Sequence, residues 1–205
     1  FSDEFAARIR ALDENSFRYR PGSALPLEGL RVAIDPGHNA GSMDEAIRES
    51  KYMWLFDRDG RRLKFHESSL NLATARILKE LLEKDGARVM LTRNANRQVY
   101  PVPYDAWAPR NFRRAVLDKQ REKFITDSEA AMLLSHAGDK RRLKFFNSEF
   151  DMPYRAKLIN AFHPHITVLV HYDSSGDYGG YREKYARVLD ILSKSYGSRA
   201  ALMTD

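Results

Sequence analysis

The stretch ESSLNLATARILKELLEKDGARVMLT, residues 67–92, decides the fold. Leu70, Ala73, Ile77, Leu78, Leu81 and Leu82 recur at three- and four-residue spacing, which lays an apolar stripe along one side of a helix. Ser68 or Ser69 is placed to cap its start, and Gly86 suits the turn that ends it. Ala87–Thr92 follows at once as a β-prone run. Upstream, LRVAI at 30–34 is a second such run, stopped by Asp35-Pro36-Gly37. Pro36 denies a ladder its donor, so the strand should end there. Strand, crossover with helix, and strand again predict a parallel sheet.

Working outward, DMPYRAKLINAF at 151–162 predicts another amphipathic helix. It leads into HITVLV at 165–170, whose β-branched content predicts a central, buried strand. Residues 174–180 should form a turn, and REKYARVLDILSKSY at 182–196 a last helix. At the other end, Phe5, Ile9 and Leu12 share one side of a helix over 2–12, and PGSALPLEGL at 21–30 is a linker. The fold class expected is α/β: a mostly parallel twisted sheet with helices on both faces. Residues 1–29 are expected to form an N-terminal helix and linker, and residues 30–205 the main domain, in which a last strand is not identified. Within it, about 94–150 is a helical insertion or lid, with PVPYDAWAP at 101–109 followed by a long, highly charged helical stretch from Asn111 to His136.

The chain has 205 residues, 43% of them hydrophobic and 30% charged, in keeping with a soluble globular protein. No stretch is apolar for the ~18 residues a membrane span needs. The first residues, FSDEFAARIR, lack a secretory signal and an initiator Met, which suggests a processed product. Zero cysteines exclude disulfides, thiol nucleophiles and thiolate metal sites. A net charge of +6 favours an anionic partner in general, but no nucleic-acid-binding motif accompanies the scattered basic residues.

Three residues carry the chemistry: His38, Glu67 and His171. His38 follows the first strand, Glu67 opens the next helix, and His171 ends the strand at 165–170. In an open α/β sheet the loops beyond the strands' carboxyl ends converge on one crevice. Two His and one Glu form a recognised catalytic zinc set, with a fourth position left for water. Taken singly, each residue has an ordinary explanation as a turn histidine or a helix-dipole partner.

The surrounding motifs decide between these readings. VAIDPGHNAG at 32–41 resembles the opening motif of the zinc-dependent N-acetylmuramoyl-L-alanine amidases. HESSLNLATARILKELLEKDGARVMLTR at 66–93 is similar to their second block, and RAKLINAFHPHITVLVHYDSS at 155–175 to their third. The resemblance implies that His38, Glu67 and His171 bind Zn2+. It also implies hydrolysis of the amide between N-acetylmuramic acid and L-alanine in peptidoglycan, in the periplasm or cell envelope. A regulatory protein acting on the insertion fits the same picture, and a nucleic-acid partner does not.

Tyr172 and Asp173 stand where the family usually has Ala-Asn, and Asn39-Ala40-Gly41 replaces a glycine pair. The family's general-base glutamate, on a late strand, is not identified in residues 1–205; that strand is expected either to lie outside them or to diverge from the family pattern. Glu183, the one glutamate after His171, is expected on a solvated helix face. His66, His136, His163 and His165 are expected in structural or surface roles, with His66 best placed to support a ligand. Arg155 and Asn160 match the family helix and are expected to pack or terminate it. Two alternatives stay open: a non-catalytic wall-binding or regulatory relative that keeps the zinc site, and a zinc hydrolase of this architecture acting on another amide.

Overall fold

The structure, a computed structural model, describes residues 24–56, 59–135 and 138–172. The helices expected at 2–12 and 182–196, the turn at 174–180, His136, Asp173 and Glu183 lie outside the described residues. In chain order the elements are β1 (Arg31–Pro36), α1 (Met43–Glu49), β2 (Tyr52–Phe56), β3 (Arg62–His66), α2 (Glu67–Lys84) and β4 (Arg88–Leu91). They continue with α3 (Tyr104–Arg121), α4 (Asp127–Leu134), α5 (Asp139–Phe146), a π-helical turn (Asn147–Asp151), α6 (Met152–Phe162) and β5 (Ile166–Val170).

The fold is α/β. β4, β1 and β5 form a parallel sheet in that order, with Ile34 level with Leu91 on one side and Val168 on the other. Successive strand side chains point to opposite faces. Val32 and Ile34 therefore join Val89, Val170 and the α2 residues Ala75, Leu78 and Leu82 in one core. Asp35 faces the other way and meets Arg155 of α6 at 3.0 Å, so helices lie on both faces. Strand β1 ends at Pro36, as its missing donor requires.

Some expectations are corrected. Among the described residues β1 is central, whereas β5 is an edge strand that leaves Ile166 48% and Leu169 65% exposed. β-propensity reports a good fit to a pleated surface and says nothing of strand order. On α2 the buried apolar positions are Leu70, Leu72 and Ala75, and Leu81 is 47% exposed. Neither serine caps α2. Strand β3 runs straight into it through His66, while Ser68 Oγ donates to the Ala40 carbonyl oxygen and Ser69 approaches His66. Gly86, with φ +99°, does turn the chain after α2.

Residues 42–66 hold α1 and the antiparallel β2–β3 pair, which periodicity had not separated. A capping signal was present: Ser42 accepts from the Glu45 N–H, and the Glu45 carboxylate accepts from Gly41 N–H. The insertion is helical, and its long charged stretch divides into two helices. Helix α3 starts earlier, at Tyr104, and the chain reverses at Lys123, with φ 60°, before Thr126 and Glu129 form a capping box for α4. These helices and α5 bury Trp107, Phe112, Val116, Leu133 and Phe146 in a second core. From Asp139 to Phe162 the helix is continuous. The π-helical turn falls just before Pro153, which cannot donate to the ladder.

His165 ties the start of β5 to β1, since the Arg31 N–H donates to its Nδ1 at 3.0 Å. Burial first and the Arg31 charge second push the His165 pKa below its ordinary value. A depressed folded-state pKa contributes stability above the unfolded value of ~6.5 that is lost as pH falls through the folded one. Unfolding titrations should therefore show stability falling from pH 7 to 5, with a shallower slope in His165→Gln, whose side-chain oxygen still accepts from Arg31. An unchanged slope would remove His165 from the acid response.

Candidate metal centre

The three residues singled out from the sequence meet at the carboxyl ends of β1 and β5. Ligand-type atoms of His38, Glu67 and His171 lie within 4.8 Å of one another. Glu67 Oε1 is 3.3 Å from His38 Nε2 and 3.3 Å from His171 Nδ1, and the rings stand at 87° with centroids 5.0 Å apart. Two ligands held at ~2.1 Å in a tetrahedral zinc site are themselves about 3.4 Å apart, so both observed separations suit one ion. His38 Nε2 is buried and lacks an aligned hydrogen-bond partner although Glu67 is near, as expected of an atom reserved for a metal. The Glu67 side chain is 5% exposed and that of His171 45%, so the group is closed beneath and open on one side. Catalytic zinc sites share that character, because substrate and water must enter.

Glu67 is the hub. Its Oε1 also accepts from the Tyr172 N–H at 3.2 Å and Asn71 Nδ2 at 3.4 Å, and Lys51 Nζ is 3.6 Å from Oε2. Burial opposes its charge, but the His38 ring, the Tyr172 N–H and Lys51 outweigh it and hold the carboxyl at about 2. Asn71, wholly buried, donates to the Gly37 carbonyl oxygen as well and so fixes Glu67 relative to the turn bearing His38.

A family model described as N-acetylmuramoyl-L-alanine amidase matches residues 32–194. The chain belongs to that family. No curated protein and no solved structure matches. No described helix is long and apolar enough to cross a membrane.

Around the candidate metal site runs a frame of buried charge, of which Arg155 was expected only to pack or terminate its helix. Arg155 binds Asp35 at 3.0 Å, Asp151 at 2.8 Å and the Pro36 carbonyl oxygen at 3.0 Å. Arg93 donates to the carbonyl oxygens of Pro36, Gly37 and Ser68. Burial pushes its guanidinium down to about 9, still protonated at neutral pH. Asp151 also accepts the N–H groups of Val99 and Tyr100, pinning the entry of the insertion to the same frame. Such a role needs partners 120 positions apart, which no local pattern reveals. His66 does not face the metal group. It is buried against Ser68 and Ser69, and burial lowers its pKa.

A cleft of about 780 Å³ opens between α1 and residues 91–105. Asn39 and Glu49 line it, with Arg93, Arg97, Tyr100 and Tyr104, but none of the three candidate ligands does. The cleft flanks the site from the insertion's side rather than containing it. Burial pushes the Glu49 carboxyl up, against the pull of His38 and the Asn39 N–H.

The glycine of the DPGH turn has a steric reason. A Cβ on Gly37 would fall 2.1 Å from the His171 ring, far inside contact distance. Gly37→Ala should therefore displace His171 and weaken metal retention on dialysis by roughly 10-fold or more, on the scale of disturbing a ligand's support. Unimpaired retention in this variant would show that the ring has another place to stand.

Proposed function

We propose that the chain is a zinc-dependent hydrolase that cuts the amide between N-acetylmuramic acid and L-alanine in peptidoglycan. The convergence of His38, Glu67 and His171 around a buried, unpartnered His38 Nε2 carries this reading. Family membership supplies the substrate class.

His38, Glu67 and His171 would hold Zn2+, and the ion would supply Lewis acidity, bringing the pKa of a water from 15.7 towards ~7 and polarising the scissile carbonyl. The residues around it do the rest. Asn71, Lys51 and the Tyr172 N–H keep Glu67 ionised and oriented. The Arg93 donors hold the Pro36-Gly37 turn, so His38 is presented without rearrangement. The exposed flank at His171 admits the lactyl-peptide, and the cleft beside α1 offers room for the rest of the polymer. The insertion that walls this cleft is the surface for a regulatory partner. A deletion of residues 105–148 that folds should lose wall binding or regulation, and unchanged activity and binding would remove that assignment.

A second reading has one observation in its favour. Among the described residues Glu67 is the one carboxylate of the ligand group, and Glu49 lies against the far edge of the His38 ring, so neither is assigned as general base. A wall-binding relative that holds zinc without hydrolysis would look the same.

Elemental analysis should find about one zinc per chain in the wild type and a loss of it in His38→Ala, Glu67→Ala and His171→Ala. Muropeptide release from purified wall then separates the hydrolase from the binding relative. A folded wild type that takes up no zinc at neutral pH would end both readings.

A further inference from the structure

Glu49 closes α1, and its carboxylate is turned into the protein. The side chain is 5% exposed, and its Oε2 has no hydrogen-bond partner. The Asn39 N–H donates to the carboxylate, and His38 Nδ1 lies 3.8 Å from Oε2. The opposite edge of the same ring, Nε2, faces Glu67 Oε1 at 3.3 Å. The imidazole of His38 therefore stands between two buried carboxylates, one for each nitrogen. A buried carboxylate calls for an explanation, and among the described residues no lysine or arginine pairs with this one directly. Arg48, its neighbour in sequence, turns away to Asp105 and Asp139, and Arg93 and Arg155 act on it only through space.

A histidine that ligates through Nε2 carries its proton on Nδ1, and the group facing Nδ1 sets the tautomer and the direction of the ring. We propose that Glu49 is a positioning residue for the metal: it accepts the His38 Nδ1–H, holds the ring and raises the basicity of Nε2. This rests on the zinc reading above. At 3.8 Å the present contact is an ion-pair distance, and a shift of about 1 Å makes it a hydrogen bond. Glu49 is not the missing general base, because it sits across the ring from Nε2 and from the other ligand atoms. The device has a further consequence. Arg48 is clasped by Asp105 of α3 and Asp139 of α5, so the helical insertion holds the helix that presents Glu49.

The test is zinc affinity of the full chain by chelator competition, for wild type, Glu49→Gln and Glu49→Ala. Glu49→Ala should weaken zinc binding roughly 10–100-fold, and Glu49→Gln less, because its amide oxygen still accepts the Nδ1–H. The metal-free variants should unfold at the wild-type temperature or above, since an unsatisfied buried charge has been removed. Wild-type affinity in Glu49→Ala, or a loss in Glu49→Gln as large as in Glu49→Ala, overturns the proposal while leaving the zinc site standing. A wild type that binds no zinc overturns both.

Discussion

One carboxylate oxygen, Oε1 of Glu67, organises this candidate metal site. Four groups approach it from three elements: His38 after β1, Asn71 one turn along α2, and both the ring of His171 and the N–H of Tyr172 after β5. A buried negative charge is costly unless hydrogen-bonded and paired. The position of Glu67 is therefore not one choice among many. Its burial at the first position of α2 requires donors to converge there, and they can do so only if β1 and β5 are neighbours in a parallel register. Sheet order and site are the same constraint seen at two scales.

A second tier of charge keeps the first from relaxing. The turn at Pro36-Gly37 offers three carbonyl contacts to two arginines, Arg93 from the end of β4 and Arg155 from α6. Irregular backbone next to a buried site must have its polar groups satisfied, and here guanidinium forks do it. His38 itself stands in the left-handed region, with φ 58°, which a non-glycine residue keeps only where its surroundings over-determine it. The two arginines, Asn71 and the close pack of Gly37 under His171 are those surroundings. Breaking a buried pair such as Arg155–Asp151 costs about 3–5 kcal/mol, because it leaves a charge stranded.

How much of this the sequence shows depends on the range of the interaction. Helix α2, strand β4 and the end of β1 at Pro36 follow from local spacing and backbone chemistry, and they fall where the pattern of residues 30–92 puts them. The ligand trio follows from the DPGH-type motif and strand-end placement rather than from any spacing among the three. Strand order did not follow, because the apolar richness of 166–170 reports burial propensity and cannot say which strand β5 adjoins. Helix α1 was hidden because it is only seven residues long and carries one fully buried side chain, Ala46. Its capping residues, Ser42 and Glu45, were the available signal. The break in the insertion was signalled too, by Thr126 and Glu129, but a charged run masks a helix end when no proline or glycine marks it. Arg155 and Asp151 were visible only as helix residues, since their partners come from β1 and from residues 99–100.

The insertion shows why a helical addition to an α/β sheet need not loosen it. Its aromatic core, with Trp107, Phe146 and Phe150 in mutual ring contact, is complete in itself. A unit with its own core can be joined to a domain by flexible linkers, but this one shares the continuous helix from Asp139 to Phe162 with α6. It is also pinned at its entry by Asp151 and at its flank by Arg48. The π-helical turn sits at the junction, so the one irregular stretch of that helix lies where the insertion hands over to the frame around the site. A displacement of the insertion would be felt at Asp151, which binds Arg155, and at Arg48, which is adjacent to Glu49. Both routes end within one residue of His38 or on the turn that carries it, so the geometry of the candidate metal site is set from the insertion as well as from the sheet.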